Sequence, residues 1–230
     1  MADDAAKSLL QAGLLILLCA ALPASGSATD SLTIPVAQPT RDADASPLLA
    51  AAEPFEALIE QAFKASPRSL DEPIAAADRA VDRVRASLQP QAASELDERL
   101  TEIHSARAEN DRGSLALAAA EAYRILVSAA PPAKIPTAVN LLDYATFRYK
   151  ADLRSRPVRW RDMKSAAEFA AEQWNAISDR VSDPALARQV EAVLQQMDTA
   201  VARKSVVQAS TATKRAFDLV DKLEAYFSRT

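Results

Sequence analysis

The chain holds a single histidine, His104, and this residue bounds the chemistry its side chains can support. A haem or metal site built on His104 would have to recruit Met163 and Met197, because a His/Met pair is one way a helical protein holds haem. Glu102 lies two residues from His104, so the Glu-x-x-His spacing that places two ligands on one helix face in di-iron bundles is absent. Zinc needs three or four ligands, and no His/Cys cluster supplies them. A serine hydrolase would depend on the same histidine as its base, and no G-x-S-x-G elbow occurs. Cys19, the only cysteine, falls in an apolar run near the start, which leaves the rest of the chain without a thiol nucleophile or disulfide. Gly13, Gly26 and Gly113 are the only glycines, too few for the loops that bring backbone amides up to a nucleotide phosphate.

Carboxylates at helical spacing recur as Asp78 with Asp82, Glu98 with Glu102, and Asp218 with Asp221 and Glu224. Such pairs can serve acid/base catalysis. Here they read as solvated helix faces, with Lys214 and Lys222 four residues either side of Asp218. Tyr144, Arg148 and Asp152 follow one another at four-residue steps, with Asp143 beside them and Trp160 beyond. Arginine binds a carboxylate or phosphate through two parallel donors, so Tyr144, Asp143 and Trp160 are candidate contacts for a small ligand there. The bland alternative is a surface Arg148–Asp152 pair flanking the Tyr144 ring.

The strongest charge signal lies around Pro157. Arg148, Lys150, Arg154, Arg156, Arg159, Arg161 and Lys164 stand against Asp152 and Asp162 within the same span, in a chain whose formal net charge is −4. Side chains this close in sequence, on both sides of a turn, build a local positive potential suited to an anionic partner. Nucleic acid does not fit an acidic chain addressed to export. An acidic protein or an anionic envelope component does.

These residues need rods to position them, and the pattern supplies rods. Residues 1–28 combine an apolar run, LLQAGLLILLCAALP, with a small-residue end, and read as a secretory signal helix, too short for a comfortable membrane span. Residues 29–52 mix Pro, Thr, Asp and Ala without period and read as a flexible lead-in. From 53 to 230 the prolines divide the chain into helix-length blocks. The spacing places Phe55, Leu58, Ile59 and Ala62 on one face, and Ile74, Ala77, Val81 and Val84 on another. Ser94 with Asp97 resembles a capping box opening the next block, and Asp183-Pro184 is the clearest helix start.

Six of the twelve aromatic residues lie between Pro136 and Ile177, where Pro157 parts two arms of a helical hairpin. Val139, Leu142, Ala145, Tyr149 and Leu153 share a face of the first arm. Residues 184–228 as one helix would run about 68 Å, so a break is expected at SVVQASTAT. Glu121-Ala122-Tyr123 recurs as Glu224-Ala225-Tyr226, too short a match to argue a solenoid.

The sequence thus predicts an all-α bundle of seven or eight helices in antiparallel hairpins, forming one domain over 53–230. It is expected to be periplasmic or secreted after signal cleavage, touching the membrane only through the signal. The function expected is non-catalytic binding or scaffolding through the basic corner, with no cofactor. The alternative is a non-covalent haem or metal carrier using His104 with Met163 or Met197.

Overall fold

The computed structural model describes residues 46–229. Eight α-helices run through them: α1 (Pro47–Ala62), α2 (Asp71–Val84), α3 (Pro90–Ala108), α4 (Arg112–Ala129), α5 (Thr137–Arg154), α6 (Trp160–Ile177), α7 (Pro184–Ala202) and α8 (Val206–Arg229). No strand occurs among the described residues, so the expected all-α bundle is the observed fold. The signal helix, its cysteine and the lead-in up to residue 45 lie outside the described residues.

The helices pack as two four-helix sets sharing a wall. In the first, α1 packs on α2 and α4, and α3 packs on α4. In the second, α5, α6, α7 and α8 form a ring, each on the next, closed by α5 on α8. The α4–α5 packing joins the sets, and each has its own apolar core.

Helix α5 serves both cores. Val139, Leu142, Ala145, Tyr149 and Leu153, the stripe read from the sequence, enter the second core. Tyr144, Phe147 and Ala151 on the opposite side enter the first. With apolar groups needed on two faces, little of its circumference is left for water. Asp143, Thr146 and Asp152 are therefore buried along with the apolar residues. Phe147 sits at the joint, edge-on to Tyr123 of α4 at 5.6 Å between ring centroids and tilted against Phe217 of α8 at 5.2 Å.

Several boundaries differ from the sequence expectation. Helix α1 begins at Pro47, inside the 29–52 stretch expected to be a flexible lead-in, rather than at Pro54, with the Ser46 hydroxyl accepting from the Leu48 amide at 3.3 Å. Pro54 sits inside this helix and forgoes one backbone bond. Burial of Leu48, Ala51 and Ala52 together with Phe55 and Leu58 carries the helix through it. Helix α3 starts at Pro90, not at Ser94, because proline fits the first turn where no intrahelical donor is required.

The break near the end falls at Arg203–Ser205, just ahead of the hydroxyl-rich stretch, which is helical from Val206 onward. There Lys204 takes a left-handed conformation (φ 46°) and the Ser205 amide closes on the Ala200 carbonyl at 2.9 Å. The α3–α4 turn repeats the device with Asn110 (φ 55°) and an Asp111 amide bond to the Ala106 carbonyl at 2.8 Å. Asp183 caps α7 as expected, accepting from the Ala185 and Leu186 amides at 2.8 and 3.1 Å.

Phe147 is buried in the first core and its ring also meets Phe217 of α8, so its removal should cost more than an ordinary surface change. Replacing it with alanine is expected to lower the unfolding free energy by about 3–5 kcal/mol, read from urea denaturation. A loss under about 1 kcal/mol would show that the packing of α4, α5 and α8 does not depend on this ring.

Candidate functional site

One end of α5 meets the starts of α4 and α6, and two clefts open there. The first, about 500 Å³, lies between α3 and α4 and is lined by Arg99, Glu102, Glu109, Glu121, Arg148 and Arg159 among others. The second, about 520 Å³, is lined by Asp111, Arg112, Arg154, Arg156 and Arg159, with Phe63 and Gly113 at its wall. Arg159, the residue just ahead of α6, belongs to both.

Local structure explains how these groups arrive. Asp111 caps α4, accepting from the Ser114 amide at 3.0 Å and the Ser114 hydroxyl at 2.7 Å. Hydrogen bonding from the Ser114 amide and hydroxyl holds its carboxyl below the usual range. Gly113 allows the start of α4 to come against the end of α5, since a Cβ there would stand 3.1 Å from the Ser155 Oγ. Arg112 donates to the Ala62 and Ala65 carbonyls at 2.9 and 2.7 Å, tying α4 to the end of α1. Arg156 donates to the Ser155 carbonyl at 3.0 Å and more weakly to that of Arg154 at 3.4 Å. The Arg154 and Arg159 guanidinium groups have no hydrogen-bond or salt-bridge partner among the described residues. Two of the four arginines in the second cleft thus serve helix ends, and two are uncommitted.

The first cleft is balanced differently. Tyr144 donates to Glu121 at 2.7 Å, Arg148 pairs with the same carboxylate, and Arg124 donates to it at 2.9 Å. Burial works to raise the Glu121 carboxyl, but these hydrogen bonds and the Arg148 charge outweigh it and hold it low. Arg99 pairs with Glu102 at 2.9 Å. This cleft therefore carries three arginines against three glutamates, while the second carries four arginines against Asp111.

Asp152 lies at the inner side of this region. It is 0% exposed, and neither carboxylate oxygen has a hydrogen-bond partner among the described residues, nor does the Arg148 Nε. Burial pushes its carboxyl up to about 6, against the opposing pull of Arg148. The surface Arg148–Asp152 pair considered from the sequence does not form, because Glu121 of α4 takes the guanidinium.

The predicted basic corner is divided by the fold. Arg154, Arg156 and Arg159 gather in the second cleft and Arg148 in the first. Lys150 instead lies over the Phe217 ring at 5.0 Å, and burial lowers its ammonium. Lys164 pairs along α6 with Glu168 at 3.3 Å, and exposed Arg161 lines neither cleft.

The three candidate ligand contacts also separate. Tyr144 joins Glu121 and Arg148; Trp160 packs against the second core; Asp143 is buried on α5, where its charge acts on the Tyr123 hydroxyl. Nor does the structure bring His104 to the methionines. His104 is exposed on α3, 3.1 Å from Asp78, whereas Met163 and Met197 are buried in the second core. Among the described residues no group of three or more His, Cys, Asp or Glu side chains is placed to hold a metal ion. No described helix is long and apolar enough to cross a membrane.

Sequence reasoning missed Arg112, Asp111, Arg99 and Glu121. Arg112 and Asp111 lie outside the basic run around Pro157, and Glu121 carried no signal beyond its three-residue repeat. Comparison with family models, curated proteins and solved structures gives no match.

Asp143 belongs to a second set of acids, facing Glu56 of α1 and Asp221 and Glu224 of α8. Burial, and then these like charges, raise its carboxyl well above the ordinary range, and Glu56 and Glu224 are raised as well. A folded state that holds its protons more tightly than the unfolded chain is fully stabilised by them below the ordinary carboxylate range. That contribution is lost as pH rises through the folded values. Asp143→Asn should therefore gain on the native chain in urea-denaturation stability as pH goes from 5 to 8. A constant difference across that range would show that Asp143 titrates alike in both states.

Proposed function

We propose that the protein is an exported, non-catalytic helical binding protein that docks an anionic group in the arginine-lined cleft at the α5–α6 turn. The observation that carries this reading is the pair of uncommitted guanidinium groups, Arg154 and Arg159, in a concavity of about 520 Å³ on a chain of net charge −4. Arg79, Arg85, Arg99, Arg107, Arg124 and Arg148 each pair with an acid, whereas Arg68, Arg83, Arg161, Arg188 and Arg203 form no salt bridge among the described residues either; what sets Arg154 and Arg159 apart is that both line one concavity. Asp111 is the one carboxylate lining this cleft against four arginines, so positive charge is in excess there, and a bound anion offsets the repulsion among the cations.

Backbone adds to the field. The α6 start has no side-chain cap, and its first amides add positive partial charge beside Arg159 that Asp162 in the first turn offsets in part. Guanidinium groups suit phosphate, sulfate and carboxylate alike through paired donors. A concave site favours an anionic group presented by a soluble ligand or chain over a flat lipid surface. Export rests on the apolar run of residues 1–28 and its small-residue end.

The test is calorimetric titration of the full chain with sodium sulfate. The double variant Arg154→Gln, Arg159→Gln is expected to bind roughly 10- to 100-fold more weakly, as befits losing two charge-assisted contacts. Arg161→Gln with Lys164→Gln, outside the cleft, should bind as the native chain does. Equal binding by the cleft variant, or equal loss in both variants, would refute a built site and leave only diffuse surface charge.

A further inference from the structure

We propose that Asp152 is an acid-sensitive gate on this anion site: its ionised carboxylate, within electrostatic reach of Arg159, opposes capture of an anion, and its protonated form permits it. The inference rests on the anion-docking reading above and adds its regulation.

One fully buried, unsatisfied acid lies within electrostatic reach of Arg159 at the α5–α6 turn. Asp152 stands two residues before Arg154 on α5, and its backbone carbonyl accepts the Arg159 amide at 3.2 Å, so the main chain at Asp152 and the arginine turn are tied together. The charged groups facing its carboxylate are Arg148 on α5, Asp162 on α6, Arg159 in the turn and Glu121 on α4. Two are positive and two negative, and Arg148 is already engaged by Glu121. A fully buried carboxylate is normally held by several donors, and this one has none among the described residues. Its charge is therefore costly to keep and easily given up. The upward shift of its carboxyl, to about 6, agrees with that environment.

The consequence for the cleft is electrostatic. When Asp152 is ionised, its field cancels part of the Arg159 charge and repels an incoming anion through a poorly screening interior. When it is protonated, that opposing charge is removed and Asp111 is the one carboxylate left facing the arginines of the cleft. By linkage, an anion that binds the protonated form better must also draw a proton onto Asp152 as it binds.

Sulfate is the appropriate probe, since its charge does not change between pH 5.5 and 7.5. Native protein is expected to bind it roughly five- to tenfold more tightly at pH 5.5 than at 7.5. Asp152→Asn, neutral and of the same shape, should bind at the tight value throughout. His104→Gln, which removes the only histidine, should retain the native pH dependence.

The results separate the two ideas. Native binding that is equally strong at both pH values overturns the gate and leaves the docking site standing. No sulfate binding at any pH overturns both. Should Asp152→Asn fail to fold, judged by helical circular dichroism, proton uptake by the native chain decides. It is read from the dependence of the binding enthalpy on buffer ionisation enthalpy at pH 6.5. Uptake that persists in His104→Gln supports the gate, and its absence refutes it.

Discussion

The burial of α5 between two cores is the constraint from which the rest of the molecule follows. A helix that faces one core can turn its charges to water. Helix α5 faces two, with Tyr149 and Leu153 in one and Tyr144 and Phe147 in the other, yet it also carries Asp143, Arg148, Lys150 and Asp152. Desolvating an ion costs several kcal/mol unless a partner is supplied. Each of the four meets that cost in its own way. Arg148 takes Glu121 from α4, Lys150 lies on the Phe217 face, Asp143 has its carboxyl pushed well above the ordinary range by burial, and Asp152 is left without a donor.

The same constraint shapes the end of the helix where the clefts lie. Four helix ends meet there, those of α1 and α5 offering carbonyls and those of α4 and α6 offering amides. Arg112 and Arg156 answer the carbonyls, Asp111 answers the α4 amides, and no side chain answers those of α6. What remains after this accounting is positive: two free guanidinium groups and an uncapped helix start beside a concavity. Positive charge is thus concentrated in one recess of an otherwise acidic chain, a property that net charge alone conceals.

Much of the architecture was legible in the residues. Proline punctuation and three-and-four spacing set the helices and the buried face of α5, and the basic run around Pro157 marked the corner where the clefts open. The misplacements were local. Pro54 does not open α1, because burial on both sides of it outweighs the lost backbone bond, and the last break uses Lys204 in a conformation usually left to glycine. The candidate site was legible only in part. Arg154, Arg156 and Arg159 are close in sequence and remain close in space, whereas Arg112 comes from α4, 42 positions before Arg154.

The sequence by itself determined that this chain is a set of amphipathic rods with a cluster of cations at one turn, because helical periodicity and helix breaking act over a few residues. Only the tertiary structure decided which charges would be free. Pairing depends on which helices become neighbours: Glu121 takes Arg148 because α4 lies along α5, and Lys150 leaves the corner because Phe217 of α8 lies beneath it. Such pairings are set by packing between elements far apart in the chain, so spacing along α5 suggested an Arg148–Asp152 pair where the fold instead isolates the acid and commits the base elsewhere.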